Sequence, residues 1–155
     1  MQMNYRRARL SELPDAAEFW LAMFREIGHD GLPSFRADWR TAFVRYFERR
    51  ISAGEAAYFV AEDAGTLAGA AGAILRDGYP IEIHGVAHGY ILGVYVQPRY
   101  RGHGAATKLT QMAVEFLRER NVANIRLHAS PFGRNIYERL GFVDTNEMKL
   151  DFPWR

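Results

Sequence analysis

A glycine-containing loop between a strand and a helix constrains this sequence more than any other feature. The apolar run Tyr90–Val96 predicts a strand, and the loop after it contains Gly102 and Gly104. The next segment has the apolar spacing of an amphipathic helix, and Asn124–Ala129 predicts the following strand. Glycine lets a ligand approach the backbone, and the first N–H groups of a helix lack internal partners. The loop therefore predicts a phosphate-binding site.

The spacing of this loop disfavours two common nucleotide-binding motifs. The loop lacks the Gly-x-x-x-x-Gly-Lys-Ser/Thr pattern of P-loop nucleotidases. Thr107 stands where the dinucleotide fingerprint has its third glycine, and no Asp or Glu ends the following strand to hold a ribose. The two glycines alone leave the identity of the phosphate ligand open.

The chain before the loop predicts two helices and a β-hairpin. A short strand at Tyr5–Leu10 precedes a helix that is capped by Ser11 and ends at Gly28. A second amphipathic helix ends at Gly54. The hairpin strands are Ala57–Glu62 and Thr66–Leu75, and the segment from Arg76 to Gly89 is predicted to be irregular.

Composition excludes several classes of function. The 155 residues contain no cysteine, which rules out thiol nucleophiles, zinc–thiolate sites and disulfides. Hydrophobic residues make up 48% of the chain and no linker interrupts it, so we expect one domain spanning residues 1–155. The net charge is +2 and the arginines are scattered, which does not favour a nucleic-acid partner.

Because we find no signal peptide and no run of about 18 apolar residues, we expect a cytoplasmic protein without a membrane partner.

Two motifs follow one another in the second half of the chain. Arg101, Gly104 and Ala106 fit the pattern Gln/Arg-x-x-Gly-x-Gly/Ala, and Tyr137 begins a Tyr-x-x-x-Gly-Phe element. Together they resemble the acetyl-CoA signature and the tyrosine motif of the GNAT superfamily of N-acetyltransferases. The upstream hairpin and helices are similar to the family layout. The resemblance implies an α/β fold of the α+β type, in which helices flank both faces of a twisted, mixed and mostly antiparallel sheet.

The same resemblance implies roles for individual residues. In the family, amides of the loop hold the pyrophosphate of coenzyme A, and the preceding strand offers free backbone groups to pantetheine. Tyr137 matches the tyrosine near the coenzyme sulfur, so it is the expected general acid for the departing thiolate. Gly93 is expected to mark a bulge that opens the strands, and Gly133 to loosen the start of the Tyr137 helix. The expected cofactor-binding residues are Val94, Tyr95, Val96, Arg101, Gly102, His103, Gly104, Ala105, Ala106 and Ser130.

The resemblance does not identify a general base. Many members of the family carry a glutamate on the strand before the loop, but Tyr90–Val96 contains no carboxylate. Glu82, His84 and His88 lie just upstream, and His88 is the expected base because imidazole titrates near neutral pH. A water relay from backbone carbonyls is an equal alternative. His84 and His88 lack a third ligand, so no metal site is predicted.

The sequence leaves more than one function open. The favoured hypothesis is transfer of an acetyl group from acetyl-CoA to a primary amine of a small molecule or peptide. The alternative is a non-catalytic acyl-CoA-binding module, which the missing carboxylate motivates. An arginine-rich nucleic-acid binder is a third hypothesis. The acceptor and the oligomeric state, including a homodimer, stay open.

Overall fold

The computed structural model describes residues 1–28, 35–77, 83 and 85–152. Within these residues the chain forms five β-strands and four α-helices, with 3-10 turns at Leu10–Glu12 and Pro98–Tyr100. In chain order the elements are β1 (Met3–Arg7), α1 (Leu13–Glu26), α2 (Trp39–Ser52), β2 (Ala56–Asp63), β3 (Thr66–Arg76), β4 (His88–Val96), α3 (Ala105–Arg118), β5 (Ile125–Arg126) and α4 (Arg134–Arg139).

The strands form one sheet in the order β1-β2-β3-β4-β5. The pairs β1–β2, β2–β3 and β3–β4 are antiparallel, whereas β4 and β5 run parallel. A parallel pair needs a crossover connection, and α3 lies in that connection. The mixed and mostly antiparallel sheet confirms the fold class that the sequence predicts.

Helices pack on both faces of the sheet because its central strands are apolar on both sides. Along β2, Phe59 and Ala61 belong to the core that includes α3, while Tyr58 and Val60 belong to the core that includes α1 and α2. Successive strand residues point to opposite faces, so this alternation determines which helix each residue contacts. The helices contribute Leu109, Ala113 and Leu117 to the first core and Leu13, Phe43 and Phe47 to the second.

Glycines in β3 sit where neighbouring groups leave no room for a side chain. A Cβ on Gly69 would overlap the carbonyl oxygen of Tyr95. A Cβ on Gly72 would lie 2.8 Å from Cε2 of Tyr58. Glycine weakens a strand unless something packs closely against its backbone, and here Tyr58 and β4 do so.

The first helix begins differently from the prediction. Ser11 lies inside the 3-10 turn, and α1 begins at Leu13, so the prediction of Ser11 as its N-cap is wrong. Glu12 occupies the N-cap position of α1, and its side chain makes no capping hydrogen bond to that helix. Its carboxylate instead closes the 3-10 turn, where it accepts the Arg9 N–H at 2.7 Å and binds the guanidinium of Arg6 at 2.7 Å. This turn moves the start of α1 two residues beyond Ser11.

Strand β4 begins within the segment that was predicted to be irregular. His88 pairs with Arg76 across the β3–β4 ladder, so the strand starts two residues before Tyr90. The prediction of irregular structure at His88 and Gly89 is therefore wrong. Backbone pairing with the long β3 extends β4 there.

A β-bulge interrupts the pairing of β4 with β3. Between the pairs Gly72–Leu92 and Ala70–Tyr95, β3 advances two residues and β4 advances three. The extra residue falls at Gly93, whose φ of +64° lies in the left-handed region. The bulge agrees with the expectation for Gly93, and it increases the local twist of β4.

Strands β4 and β5 separate after two paired positions. The recorded pairs are Gly89–Ile125 and Tyr90–Arg126, and β5 ends at Arg126. Beyond these pairs, the edge of β4 that faces away from β3 has no strand partner among the described residues. Backbone groups on that edge must find other partners, in water or in a ligand.

We expect Gly93→Ala to lower the free energy of unfolding by about 1–3 kcal/mol, because alanine is strained at positive φ and its Cβ would overlap the Tyr58 hydroxyl. Tyr58→Phe removes that hydroxyl, so the glycine substitution should cost less when it is made in the Tyr58→Phe variant. Urea denaturation of the wild type, the two single variants and the double variant measures the difference. An equal cost with and without the hydroxyl would show that the overlap with Tyr58 does not matter.

Candidate functional site

A cleft of about 430 Å³ opens where β4 leaves β5. The C-terminal end of α1, the end of β4, the start of α3 and the start of α4 line it. The cleft brings together most of the residues that the sequence singles out. These residues are Val94, Tyr95, Val96, Arg101, Gly102, Gly104, Ala105, Ala106, Ser130 and Tyr137.

One end of the cleft is the glycine loop and the first turn of α3. Gly102 and Gly104 have φ of +84° and +81°, a conformation that favours glycine. A Cβ built on either would meet no protein atom within 4 Å. Gly104 precedes the first residue of α3, whose initial N–H groups have no partner inside the helix. The loop therefore offers an anion both backbone donors and the positive end of a helix.

The Arg101 side chain fastens this loop to two other elements. Its Nε donates to the carbonyl oxygen of Val96 at 2.8 Å, and its terminal nitrogen donates to Glu26 at 2.6 Å. The guanidinium also lies 5.5 Å from the centre of the Tyr95 ring. Arg101 thus connects the start of the loop to the end of β4 and to the last residue of α1.

Glu26 is a cleft residue that the sequence reasoning missed. The hydrogen bond from Arg101 holds the pKa of this carboxyl below its usual value, and a hydrogen bond with Tyr95 lowers the pKa further. Arg101 lies 75 residues from Glu26, so no local spacing links the two. One signal existed: an acidic residue in the last turn of a helix opposes the helix dipole and is stabilised by a positive partner.

Tyr137 lies on α4 at the other side of the cleft. It is 8% exposed, and burial raises the pKa of its hydroxyl to about 12. The hydroxyl is therefore protonated at neutral pH. A Cβ on Gly133 would lie 2.8 Å from Cε2 of the Tyr137 ring, so glycine at this position gives the ring its space.

The turn before α4 is held by Ser130. Its hydroxyl oxygen accepts the Gly133 N–H at 3.1 Å, and its carbonyl oxygen accepts the same N–H at 3.1 Å. The hydroxyl hydrogen of Ser130 is not used in that bond and can still donate to a ligand in the cleft. The expected loosening at Gly133 is thus offset by this local hydrogen bonding.

The structure does not bring the two expected histidines into the cleft. His103 is exposed in the glycine loop and is not among the lining residues. His88 is the first residue of β4, is 2% exposed, and its Nδ1 lies 3.1 Å from Oδ1 of Asn124. Six residues of strand place it about 20 Å from Val94. Glu82 and His84 lie outside the described residues.

Near the β4 bulge lies a cluster of aromatic rings from α1, from α2 and from Phe35, which precedes α2. Trp20 stacks on Phe35 with ring centroids 5.1 Å apart, and Phe24 and Trp39 pack against the same pair. Trp20 also approaches the bulge, since its Cδ1 would lie 3.3 Å from a Cβ on Gly93. This cluster gives the region around the bulge an apolar border.

The described residues contain no group of three or more His, Cys, Asp or Glu side chains that could hold a metal ion. Among the same residues, no helix has the length and apolar character that crossing a membrane requires. The cleft combines the N-terminus of α3, an unpaired strand edge and a buried phenol in one continuous space.

Comparison with known proteins decides the family. A model described as the acetyltransferase (GNAT) family matches residues 24–142. The chain belongs to the GNAT acetyltransferase family. This confirms the resemblance found in the two sequence motifs, and the GNAT model spans both of them up to Phe142.

Solved structures agree with the GNAT assignment over nearly the whole chain. A predicted acetyltransferase from Clostridium acetobutylicum, solved with acetyl-CoA, is 28% identical, with a TM-score of 0.83 over 97% of this chain and 96% of that one. A GCN5-related N-acetyltransferase from Ralstonia eutropha JMP134 is 29% identical, with a TM-score of 0.83 over 97% and 99%. No curated protein matches the sequence.

We expect acid to destabilise the wild-type protein more than the Glu26→Gln variant. A carboxyl with a lowered pKa in the folded state stabilises the fold above its usual pKa of 4.5, and this contribution is lost as the pH falls. The stability difference between wild type and Glu26→Gln should therefore be largest at neutral pH and shrink on acidification.

Urea denaturation between pH 7 and pH 3 measures this difference. Glu48→Gln, at an exposed position on α2, controls for the loss of one carboxylate. A difference between wild type and Glu26→Gln that stays constant with pH would contradict the role of the Arg101 ion pair.

Proposed function

We propose that this GNAT protein transfers an acetyl group from acetyl-CoA to a primary amine of a small molecule or peptide. The observation that carries the proposal is the single cleft that joins the glycine loop, the unpaired edge of β4 and Tyr137. The relative from Clostridium acetobutylicum was solved with acetyl-CoA, which supports the choice of donor.

The pyrophosphate of acetyl-CoA binds at the loop in this proposal. The N–H groups from Gly102 to Ala106 donate to its oxygens, while the Arg101 N–H is bound to the Pro98 carbonyl oxygen at 3.2 Å. The dipole of α3 adds a favourable field. The Arg101 guanidinium is already bound to Val96 and Glu26, so its role is to hold the loop in shape. Binding the diphosphate through backbone donors explains how a chain with a net charge of only +2 can take this ligand.

The pantetheine arm lies along the unpaired edge of β4. Val94, Tyr95 and Val96 line the cleft there, and their backbone groups can replace the missing strand partner with pantetheine amides. Ser130 lines the opposite side and offers its hydroxyl hydrogen. A backbone N–H near the Gly93 bulge stabilises the oxyanion of the tetrahedral intermediate, an effect typically worth about 3–4 kcal/mol.

Tyr137 acts as the general acid. The neutral amine attacks the thioester carbonyl carbon and forms a C–N bond, and the C–S bond then breaks. The departing thiolate takes the Tyr137 hydroxyl proton as the C–S bond breaks, and the nitrogen loses one proton to solvent, so the products are an amide and free coenzyme A. The raised pKa keeps the Tyr137 hydroxyl protonated at neutral pH, and because this pKa lies above that of a thiol, the resulting phenolate readily regains a proton from solvent.

The base is assigned to water rather than to His88. The buried position of His88 beside Asn124, about 20 Å along β4 from Val94, keeps its ring away from the cleft. Backbone carbonyls on the open edge of β4 can order a chain of waters that carries the amine proton to solvent.

The alternative function is a non-catalytic acyl-CoA-binding module, which the absence of a carboxylate in Tyr90–Val96 favours. Release of free coenzyme A thiol from acetyl-CoA, measured with tyramine, tryptamine, spermidine, lysine and a short peptide, separates the two. Amine-dependent release supports the enzyme. Tight acetyl-CoA binding without turnover on any of these amines supports the module.

We expect Tyr137→Phe to lower kcat about 100-fold and to leave the Kd for acetyl-CoA nearly unchanged, because the phenylalanine keeps the packing and loses the proton. Thiol-release kinetics and calorimetric titration measure the two constants. Tyr46→Phe, on α2 outside the cleft, is the control. Equal losses of kcat and affinity would contradict proton donation by Tyr137 and show that the residue contributes only packing.

We expect Gly104→Ala to weaken acetyl-CoA binding by about tenfold or more, because its Cβ would stand in the space where the diphosphate meets the loop. Gly65→Ala is the matched control. Gly65 also has positive φ, +86°, and open space around it, but it lies in the β2–β3 turn. Similar affinities for the two variants would contradict the site of the diphosphate.

A further inference from the structure

The C-terminal segment of the described chain exposes an unusual amount of apolar surface. The segment, residues 143–152, follows α4 and forms no helix or strand. Four of its side chains are almost fully exposed: Val143 at 83%, Met148 at 92%, Leu150 at 79% and Phe152 at 79%. Single exposed apolar residues are common, but several together on one segment indicate a contact surface.

The last five described residues alternate between apolar and charged. Met148, Leu150 and Phe152 are separated by Lys149 and Asp151. The Lys149 ammonium and the Asp151 carboxylate lie 2.9 Å apart, as expected for neighbours on the same side of an extended chain. This period of two is typical of a β-strand with one buried face.

The start of the segment is attached to the rest of the molecule. Asp144 binds Arg134 of α4 at 2.9 Å, and Glu147 binds Arg126 of β5 at 2.9 Å. Because β5 is the last strand of the sheet, these ion pairs hold the segment at the sheet edge. The alternating residues continue beyond the second ion pair, with their apolar side uncovered.

We propose that residues 148–152 pair antiparallel with the same residues of a second copy of this chain, around a two-fold axis at Leu150. In this register Lys149 faces the partner's Asp151, Met148 faces the partner's Phe152, and Leu150 faces the partner's Leu150. Each charge meets its opposite and each apolar side chain meets another, in both copies.

Charge complementarity selects a second copy as the partner. A two-fold contact requires one surface to complement itself, and the order apolar, positive, apolar, negative, apolar does so about its central residue. Opposite charges directly across an antiparallel pair stabilise it, and like charges destabilise it. Pairing also covers one of the two backbone edges that each extended segment presents to unrelated chains.

Charge substitutions on the full chain test the register. Lys149→Asp places two carboxylates opposite each other at two symmetric positions, so we expect the dimer dissociation constant to rise about tenfold or more. The double variant Lys149→Asp with Asp151→Lys exchanges the two charges and should restore the wild-type constant. Sedimentation velocity over a concentration series measures all three proteins, and circular dichroism checks that each is folded.

A disulfide tests the position of the axis, since the chain has no cysteine of its own. Facing residues of an antiparallel pair have Cα atoms about 4.5–5.5 Å apart, which falls within disulfide range. Leu150→Cys should therefore form a covalent dimer under mild oxidation, while Ser11→Cys, at an exposed position near α1, should not.

A wild-type chain that stays monomeric at every concentration would overturn the proposal and indicate that its own sheet or another protein covers the segment. A dimer that Lys149→Asp leaves intact, or that the charge exchange fails to restore, would also overturn it. None of these results depends on acetyl transfer, so they stand apart from the test of the proposed function.

Discussion

The unpaired edge of β4 is the constraint on which the proposed site depends. Two pairs join β4 to β5, and the remaining backbone groups on that edge are left without a strand partner among the described residues. An unpaired N–H or carbonyl group must be satisfied elsewhere, by water or, in the proposed complex, by the amides of an extended ligand. The bulge at Gly93 increases the twist of β4 just beyond its last pair with β5. The Tyr58 side chain fills the space beside Gly93.

The proposed diphosphate site at the loop end of the cleft depends on fixed geometry more than on net charge. Arg101 is bound to Val96 and Glu26, which joins β4, α1 and the loop before any ligand arrives. Preorganised donors are not reorganised when the ligand binds, so backbone N–H groups can hold a diphosphate without a cluster of lysines. Tyr137 is fixed at the other end by its packing and by the space that Gly133 leaves.

The sequence was informative where residues close in the chain create the structure. The glycine loop, the hairpin and the Tyr137 motif follow from local spacing, and the family match confirms the resemblance built on them. Long-range contacts were not readable: Glu26 reaches Arg101 across 75 residues. His88 was expected to be a base, yet pairing with β3 draws it into a strand and buries it. Whether a residue faces a cleft or a core is decided by such pairing, which the local pattern does not contain.

A crystal structure of the protein with acetyl-CoA tests the central claim most directly. We expect the diphosphate on the N–H groups of residues 102–106, the pantetheine amides on the open edge of β4, and the sulfur within hydrogen-bond distance of the Tyr137 hydroxyl. A coenzyme whose sulfur lies away from Tyr137, or whose arm leaves the β4 edge unpaired, would contradict it.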